Sequence, residues 1–259
     1  MPFTLSHPSS ALPVWPLVRR GLVPLAPFAI GAMAPDFEYL WRLEPFALVS
    51  HTARGLVTFC LPVGLGVLLL WETLLARTAR SLLGLPGAGS RTPRTAGGVG
   101  RALVALVLGS LSHVTWDAFT HRDTIGPVLV PILRQPAFTL AGYVVPWYNL
   151  LQMVSSLVGG AIVLGWLWRQ LHREGEGSRA LVSRGRLRGW ALIAGAALAM
   201  AVWNAPRRGE MTGPSRLKLM LGRSAVGALT GASLGLLALA LLQRAGRWSW
   251  HDARRNGHA

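Results

Sequence analysis

The chain has 259 residues, of which 51% are hydrophobic and only 14% charged, and 26 Lys and Arg against 10 Asp and Glu give it a formal net charge of +16 at pH 7. A soluble domain carries about a quarter of its residues as charge, so this composition, with its positive mean hydropathy, argues against a water-soluble fold and for an all-α, polytopic membrane protein. Cys60 is the single cysteine, which excludes an internal disulfide and a thiolate metal cluster, while the basic residues are bunched between apolar runs without interleaved aromatics, so membrane lipids are the expected partner and nucleic acid is not.

In chain order, the N-terminus lacks the basic region and clean apolar core of a secretory signal, so His7 is expected to stay on the chain. Residues 12–33 are apolar but broken by Pro13, Pro16, Pro24 and Pro27 and carry Arg19 and Arg20, which predicts short helices at the membrane surface or re-entrant ones. In GAMAPDFEYLW, Pro35 suits a helix start because its missing N–H would be unpaired there, placing Asp36 in the first turn. Asp36 can be read there as a ligand or as a charge that merely favours the helix dipole.

Five apolar runs approach the roughly 20 residues a membrane span requires: 56–76, 102–119, 147–168, 190–203 and 225–242. Between them, 77–101 and 169–188 read as basic loops, and 122–146, with four prolines, as a short re-entrant loop. Gly227, Gly231 and Gly235 form a small-residue stripe suited to close helix packing in lipid. The implied organisation is a front section with two spans over 1–146, a three-span bundle over 147–243 and a polar cytoplasmic tail over 244–259.

Residues 109–121, GSLSHVTWDAFTH, contain an H-x3-D-x3-H triplet of His113, Asp117 and His121. Each four-residue step turns an α-helix about 40° beyond a full circle, so the three side chains span roughly 80° and share a face. The triplet follows the apolar run 103–108, and ionisable groups near hydrocarbon cost a few kcal/mol each on insertion scales. Of seven histidines, His7, His51, His113 and His121 lie before residue 122, each beside a hydroxyl residue, and Asp36 and Asp117 sit in equally apolar settings. If the first two spans are antiparallel neighbours, His51 and His121 meet at one membrane surface. Imidazole nitrogens and carboxylate oxygens are the ligand set of zinc or another divalent first-row metal.

The six residues therefore form a candidate site for one or two divalent ions, with Asp117 as the bridging and catalytic carboxylate if there are two. Glu38, two residues past Asp36, is the candidate general base, and Asp123 a weaker one. Such an ion would acidify a bound water and polarise a phosphoryl or carbonyl oxygen. The competing reading is a non-catalytic membrane protein in which a bound metal, or a polar network with Asp117 paired to Arg54 or Arg122, staples the front section to the first two spans. Ion or metal transport is disfavoured because spans three to five carry almost no intramembrane ionisable residues.

MPFTLSHPSSALP, GAMAPDFEYL, SHT followed by GL, and SHVTWDAFTH together resemble the bacterial membrane family of domain of unknown function 4184. Their order is also similar to that in bacterial membrane-bound metal-dependent hydrolases and, more distantly, in the zinc-dependent phospholipase C and P1 nuclease group. That resemblance implies a phosphodiester or phospholipid hydrolase site, with His7, Asp36, His51, His113, Asp117 and His121 as the matching positions. The phospholipase C group uses more histidines, so a three-zinc site is not implied here.

Placing 77–101, 169–188 and the tail in the cytoplasm puts fifteen basic residues inside against eleven outside. This arrangement, in a cell membrane, sets the front section and the His121 end of span two on the outer face. A cysteine introduced as Thr124→Cys in a Cys60→Ala background should then react with a membrane-impermeant thiol reagent added to whole cells. Labelling only after the cytoplasmic side is opened would reverse the topology.

Overall fold

A computed structural model describes residues 4–85, 92–140, 143–173, 183–206 and 215–250. Three short helices come first: α1 (Trp15–Arg19), α2 (Leu25–Met33) and α3 (Phe37–Arg42), with 3-10 turns at Thr4–Ala11 and Ala34–Asp36. The long helices are α4 (Ala53–Leu83), α5 (Ala96–Thr120), α7 (Trp147–Arg173), α8 (Arg184–Trp203) and α9 (Ser215–Arg244), with a short α6 (Ile125–Leu129) after α5. All five long helices are long and apolar enough to cross a membrane, α9 over Leu219–Arg244. Among the described residues the fold is all-α apart from one antiparallel hairpin, β1 (Pro136–Leu140) and β2 (Tyr143–Pro146).

The spans begin earlier than apolarity alone indicates, because helices start at caps and not where hydrophobicity starts. Thr95 accepts the N–H of Gly98 through its hydroxyl, which opens α5 at Ala96. Ser183 does the same for Arg186 and makes α8 a 20-residue helix where the apolar run looked short. Much of the expected loops at 77–101 and 169–188 is consequently helical. The remainders at 86–91 and 174–182, and the tail from 251, lie outside the described residues. In α4 the backbone widens to π geometry over Leu56–Cys60. Pro62 accounts for this, since it lacks the N–H that would reach the Thr58 carbonyl and its ring crowds that carbonyl.

Residues 122–146, expected as a re-entrant loop, instead fold into α6, a 3-10 turn at Pro131–Arg134 and the hairpin. The Thr124 hydroxyl lies 2.7 Å from both the Ala118 and His121 carbonyls, folding the chain back onto the end of α5. A Cβ on Gly126 would lie 2.3 Å from the Ala118 carbonyl oxygen, so only glycine permits that approach.

The described chain forms two compact units. The first comprises Met1–Glu38, Ala47–Leu68 and Thr92–Leu167, around a core of Ala11, Val23, Phe28, Ala32 and Ala105. Its central feature is the crossing of α2 and α5. Cβ atoms added at Gly31 and Gly109 would sit 2.2 Å from the carbonyl oxygens of Leu106 and Phe28, so the two backbones touch. Ser110 donates to the Gly31 carbonyl at 3.0 Å and pins the crossing.

The second unit comprises Tyr39–Phe46, Leu69–Arg91 and Trp168–Ala259. Here the glycine stripe does what its spacing predicts: Cβ atoms at Gly227 and Gly231 would lie 2.4 and 2.2 Å from the Met200 and Ala196 carbonyl oxygens, so α9 packs backbone to backbone on α8. Asn204 closes that unit by donating to the Leu43 and Arg223 carbonyls, both at 2.9 Å.

The α2–α5 crossing yields a direct test. Gly109→Ala should lower unfolding stability in detergent by about 1–3 kcal/mol, the usual cost of overpacking. Gly100→Ala, on the same helix with nothing within 4 Å of the added Cβ, should be neutral or slightly stabilising. Equal thermal stability of the two variants would contradict the close crossing.

Candidate metal centre

The site is assembled on the end of α2 and the face of α5 that crosses it. Helix ends leave carbonyls without intrahelical partners, and Ala32, in the last turn of α2, has such a carbonyl. His113 donates to it from Nδ1 at 2.7 Å. A carbonyl oxygen can only accept, so Nδ1 carries a proton, and whenever the ring is neutral Nε2 carries a lone pair. That nitrogen is fully buried and lies 3.5 Å from Asp36 Oδ1 and 3.4 Å from Asp117 Oδ2.

The remaining groups arrive from three other segments. Asp36 stands in the Ala34–Asp36 turn directly after α2, as its Pro35 neighbour predicts. His7 comes from the Thr4–Ala11 turn and stacks on His113, with ring centroids 3.6 Å apart and planes 16° from parallel. The turn is tied to α5 where the Ser10 and Ser112 hydroxyls meet at 2.9 Å, and it lies against α7, where a Cβ on Gly159 would be 3.0 Å from the Ser6 carbonyl oxygen. His51, just before α4, points Nε2 at Asp117 Oδ2, 3.4 Å away, and at Asp36 Oδ1, 3.9 Å away.

Two overlapping groups result, His7–His113–Asp117 and Asp36–His51–His113, each with its ligand atoms within 4.8 Å of one another. These residues could hold a metal ion. Ligand atoms about 2.0–2.2 Å from a tetrahedral ion stand roughly 3.3–3.6 Å apart, which is the spacing of the closest pairs here. The same spacing is too long for a good N–H···O bond. His7 Nε2, Asp36 Oδ2, His113 Nε2 and Asp117 Oδ1 are buried without a hydrogen-bond partner. Partnerless buried atoms on four side chains of one cluster are a cost that a cation bound there would offset.

His121 behaves differently from the other five. Helix α5 ends at Thr120 and His121 has extended backbone, so it leaves the face shared by His113 and Asp117. Its Nδ1 donates to the Asp117 carbonyl at 3.0 Å, and its Nε2 accepts from Gln152 at 3.4 Å. It stands 3.9 Å from Asp117 Oδ2 at the rim, outside both groups. Of the triplet expected on one helical face, only His113 and Asp117 therefore share it.

Glu38 does not turn toward the site as a free base would. Its oxygens accept the backbone N–H groups of Leu48, Val49 and Ser50 at 2.8, 3.1 and 2.8 Å. Burial alone would raise its pKa, but these bonds and the Ser50 hydroxyl outweigh that and hold it down to about 2. Glu38 thus fixes the segment that delivers His51, whose Nδ1 lies 3.0 Å from Ser50 Oγ. Asp117 is paired with histidines, and among the described residues neither Arg54 nor Arg122 reaches it. The hydroxyl beside each histidine touches the ring for His51 and His121, whereas Ser112 serves the Ser10 tie instead.

The electrostatics outside the spans follow burial. His7 is held down to about 3, first by burial and then by neighbouring His113, so its ring is neutral and able to ligate. Burial also lowers His121, against the pull of Asp117, and raises Asp36, against the pull of His113. A bound cation would reverse the shift on Asp36.

The chain matches the family model described as Domain of unknown function (DUF4184) over residues 1–241. It belongs to the DUF4184 family. No curated protein and no solved structure matches it. The matched residues include the site and the first four long helices and reach into the fifth.

Sequence reasoning had no access to the Ala32 carbonyl, the Glu38 clasp or Gln152. The one readable signal was Gly109, four residues before His113 on the same helical face, where close backbone approach is allowed. The Glu38 clasp has a defined pH signature. A carboxylate moved from 4.5 to about 2 stabilises the fold fully above its ordinary pKa and loses that contribution as pH falls through the lower value. Glu38→Gln should therefore be less stable than the parent at pH 6, with the difference shrinking as pH falls from about 4.5 toward 2. A pH-independent difference in unfolding midpoint would rule out the ionised clasp.

Proposed function

We propose that this protein is an integral membrane metal-dependent hydrolase acting on a phosphate ester of a lipid or lipid-linked substrate at the outer bilayer surface. The observation that carries it is the convergence of three imidazoles and two carboxylates from four chain segments, with His113 Nε2 facing both carboxylates. His7, Asp36, His51, His113 and Asp117 would hold one divalent ion, zinc being the best match to three nitrogens and two oxygens. One ion fits better than two, because both groups use His113 and its Nδ1 is already committed to Ala32, leaving a single lone pair. Two carboxylates with three neutral imidazoles also bring a divalent ion to zero net charge, the least costly state near hydrocarbon.

When bound, such an ion polarises a phosphoryl oxygen and makes water a stronger acid. The protein's own contribution is orientation. His113 is locked by Ala32, His51 by the Glu38-supported segment, and His121 stands at the rim with Gln152 on its Nε2. His51 and His121 are the partly exposed members, at 22% and 33%, so they mark the side from which a substrate would approach. The five spans support membrane lipids as the substrate source in this reading, with anionic head groups attracted to the arginine-rich loops.

One observation favours a second reading, in which the ion only staples the fold. His7, Asp36, His113 and Asp117 are all at most 6% exposed, as in a closed structural site. Metal analysis separates the outcomes. Detergent-purified protein should contain about one zinc-like ion per chain, lost in the His113→Ala, Asp117→Ala double variant. A metal-free parent would end both readings. A metal-loaded parent that melts on chelation but turns over neither phosphodiesters nor phospholipids would establish the staple.

A further inference from the structure

Residues 125–133 read IGPVLVPIL and carry no charge. Gly126 and Pro127 are buried against the end of α5, whereas Ile125, Val128, Leu129 and Ile132 are 55–67% exposed, with Phe138 of β1 exposed beyond them. Side chains this apolar and this clustered are not left facing water in an ordered protein. Within the first unit, among the described residues, nothing covers them.

Their position indicates what does. The segment starts where α5 ends at Thr120 and, with the hairpin, finishes where α7 begins at Trp147. Both of its ends are therefore anchored at the ends of spans. Trp116 near the end of α5 and Trp147 at the start of α7 are exposed as well, the tryptophan placement of a membrane interface. Arg122 and Arg134 flank it as exposed bases, with Asp123 the single acid between His121 and Trp147. A short apolar segment with basic edges is the composition of an element that lies in the plane of a bilayer surface.

We propose that residues 125–138 form an interfacial platform, buried in the boundary between lipid head groups and acyl chains with the Ile125, Val128, Leu129 and Ile132 side chains directed into lipid. The occupant of this face is the bilayer itself. The platform begins four residues after His121, so it brings the rim of the site to head-group depth. It rests on the chain spanning a membrane and not on the hydrolase reading.

Spin labels at Leu129→Cys and Ile132→Cys, in a Cys60→Ala background reconstituted in phosphatidylcholine and phosphatidylglycerol vesicles, report this directly. Both labels should collide with molecular oxygen several-fold more than with a water-soluble nickel chelate, and a label at Asp123→Cys should show the reverse. Chelate-dominated collisions at 129 and 132 would place the segment in water and overturn the proposal. Low accessibility to both reagents with dipolar broadening would overturn it in favour of a second copy covering the face. Should either variant fail to fold, Val128→Cys, equally exposed, gives the same reading. Metal content and turnover do not enter the measurement, so its failure is distinguishable from failure of the functional proposal.

Discussion

The hydrogen bond from His113 Nδ1 to the Ala32 carbonyl governs the rest of the centre. It consumes an acceptor that the end of α2 would otherwise leave unsatisfied, and it sets which nitrogen of the imidazole faces inward. At 2.7 Å it requires α2 and α5 to cross at backbone contact, which only Gly31 and Gly109 allow. A methyl group at either would separate the helices and carry His113 away from Asp36, since one partner is borne by each side of the crossing.

That geometry produces an electrostatic problem as definite as the packing. With Nε2 a lone pair, His113 faces two carboxylates in a setting where ionisable groups are expensive, and four buried polar atoms have no partner. Burial keeps His7 neutral, so that ring does not supply the missing positive charge. Either a proton is shared over distances longer than hydrogen bonds favour, or a cation sits among the ligands. The donor set and spacing agree with the second. The same environment that makes the cluster costly when empty is what would make an ion there strongly held and strongly polarising.

Support around the ligands is divided among different kinds of contact. Backbone holds His113, a serine pair holds the turn bearing His7, and a carboxylate bonded to three successive N–H groups holds the approach to His51. Glu38 could be recognised in the sequence as an acid near the site, but its task depended on which way it turned. A chain of polar letters does not reveal whether a carboxylate meets a substrate or three amide protons of a turn ten residues on. His121 illustrates the opposite error: regular spacing put it on the face of His113 and Asp117, and the end of the helix one residue earlier took it off.

The class of the protein, the five long helices and the identity of the polar residues in apolar surroundings were all legible in the sequence, because hydropathy and composition are local quantities that survive without coordinates. Helix starts were legible only in principle, through Thr95 and Ser183, since a cap is one residue and hydrophobic averaging passes over it. Tertiary structure alone decided that His7, Asp36, His51, His113 and Asp117 fall into two overlapping groups that share His113, that His121 stands beside them, and that Glu38 supports the approach to His51. Those outcomes turn on where two glycines let two backbones touch, and contact between residues some eighty positions apart leaves no periodic trace along the chain.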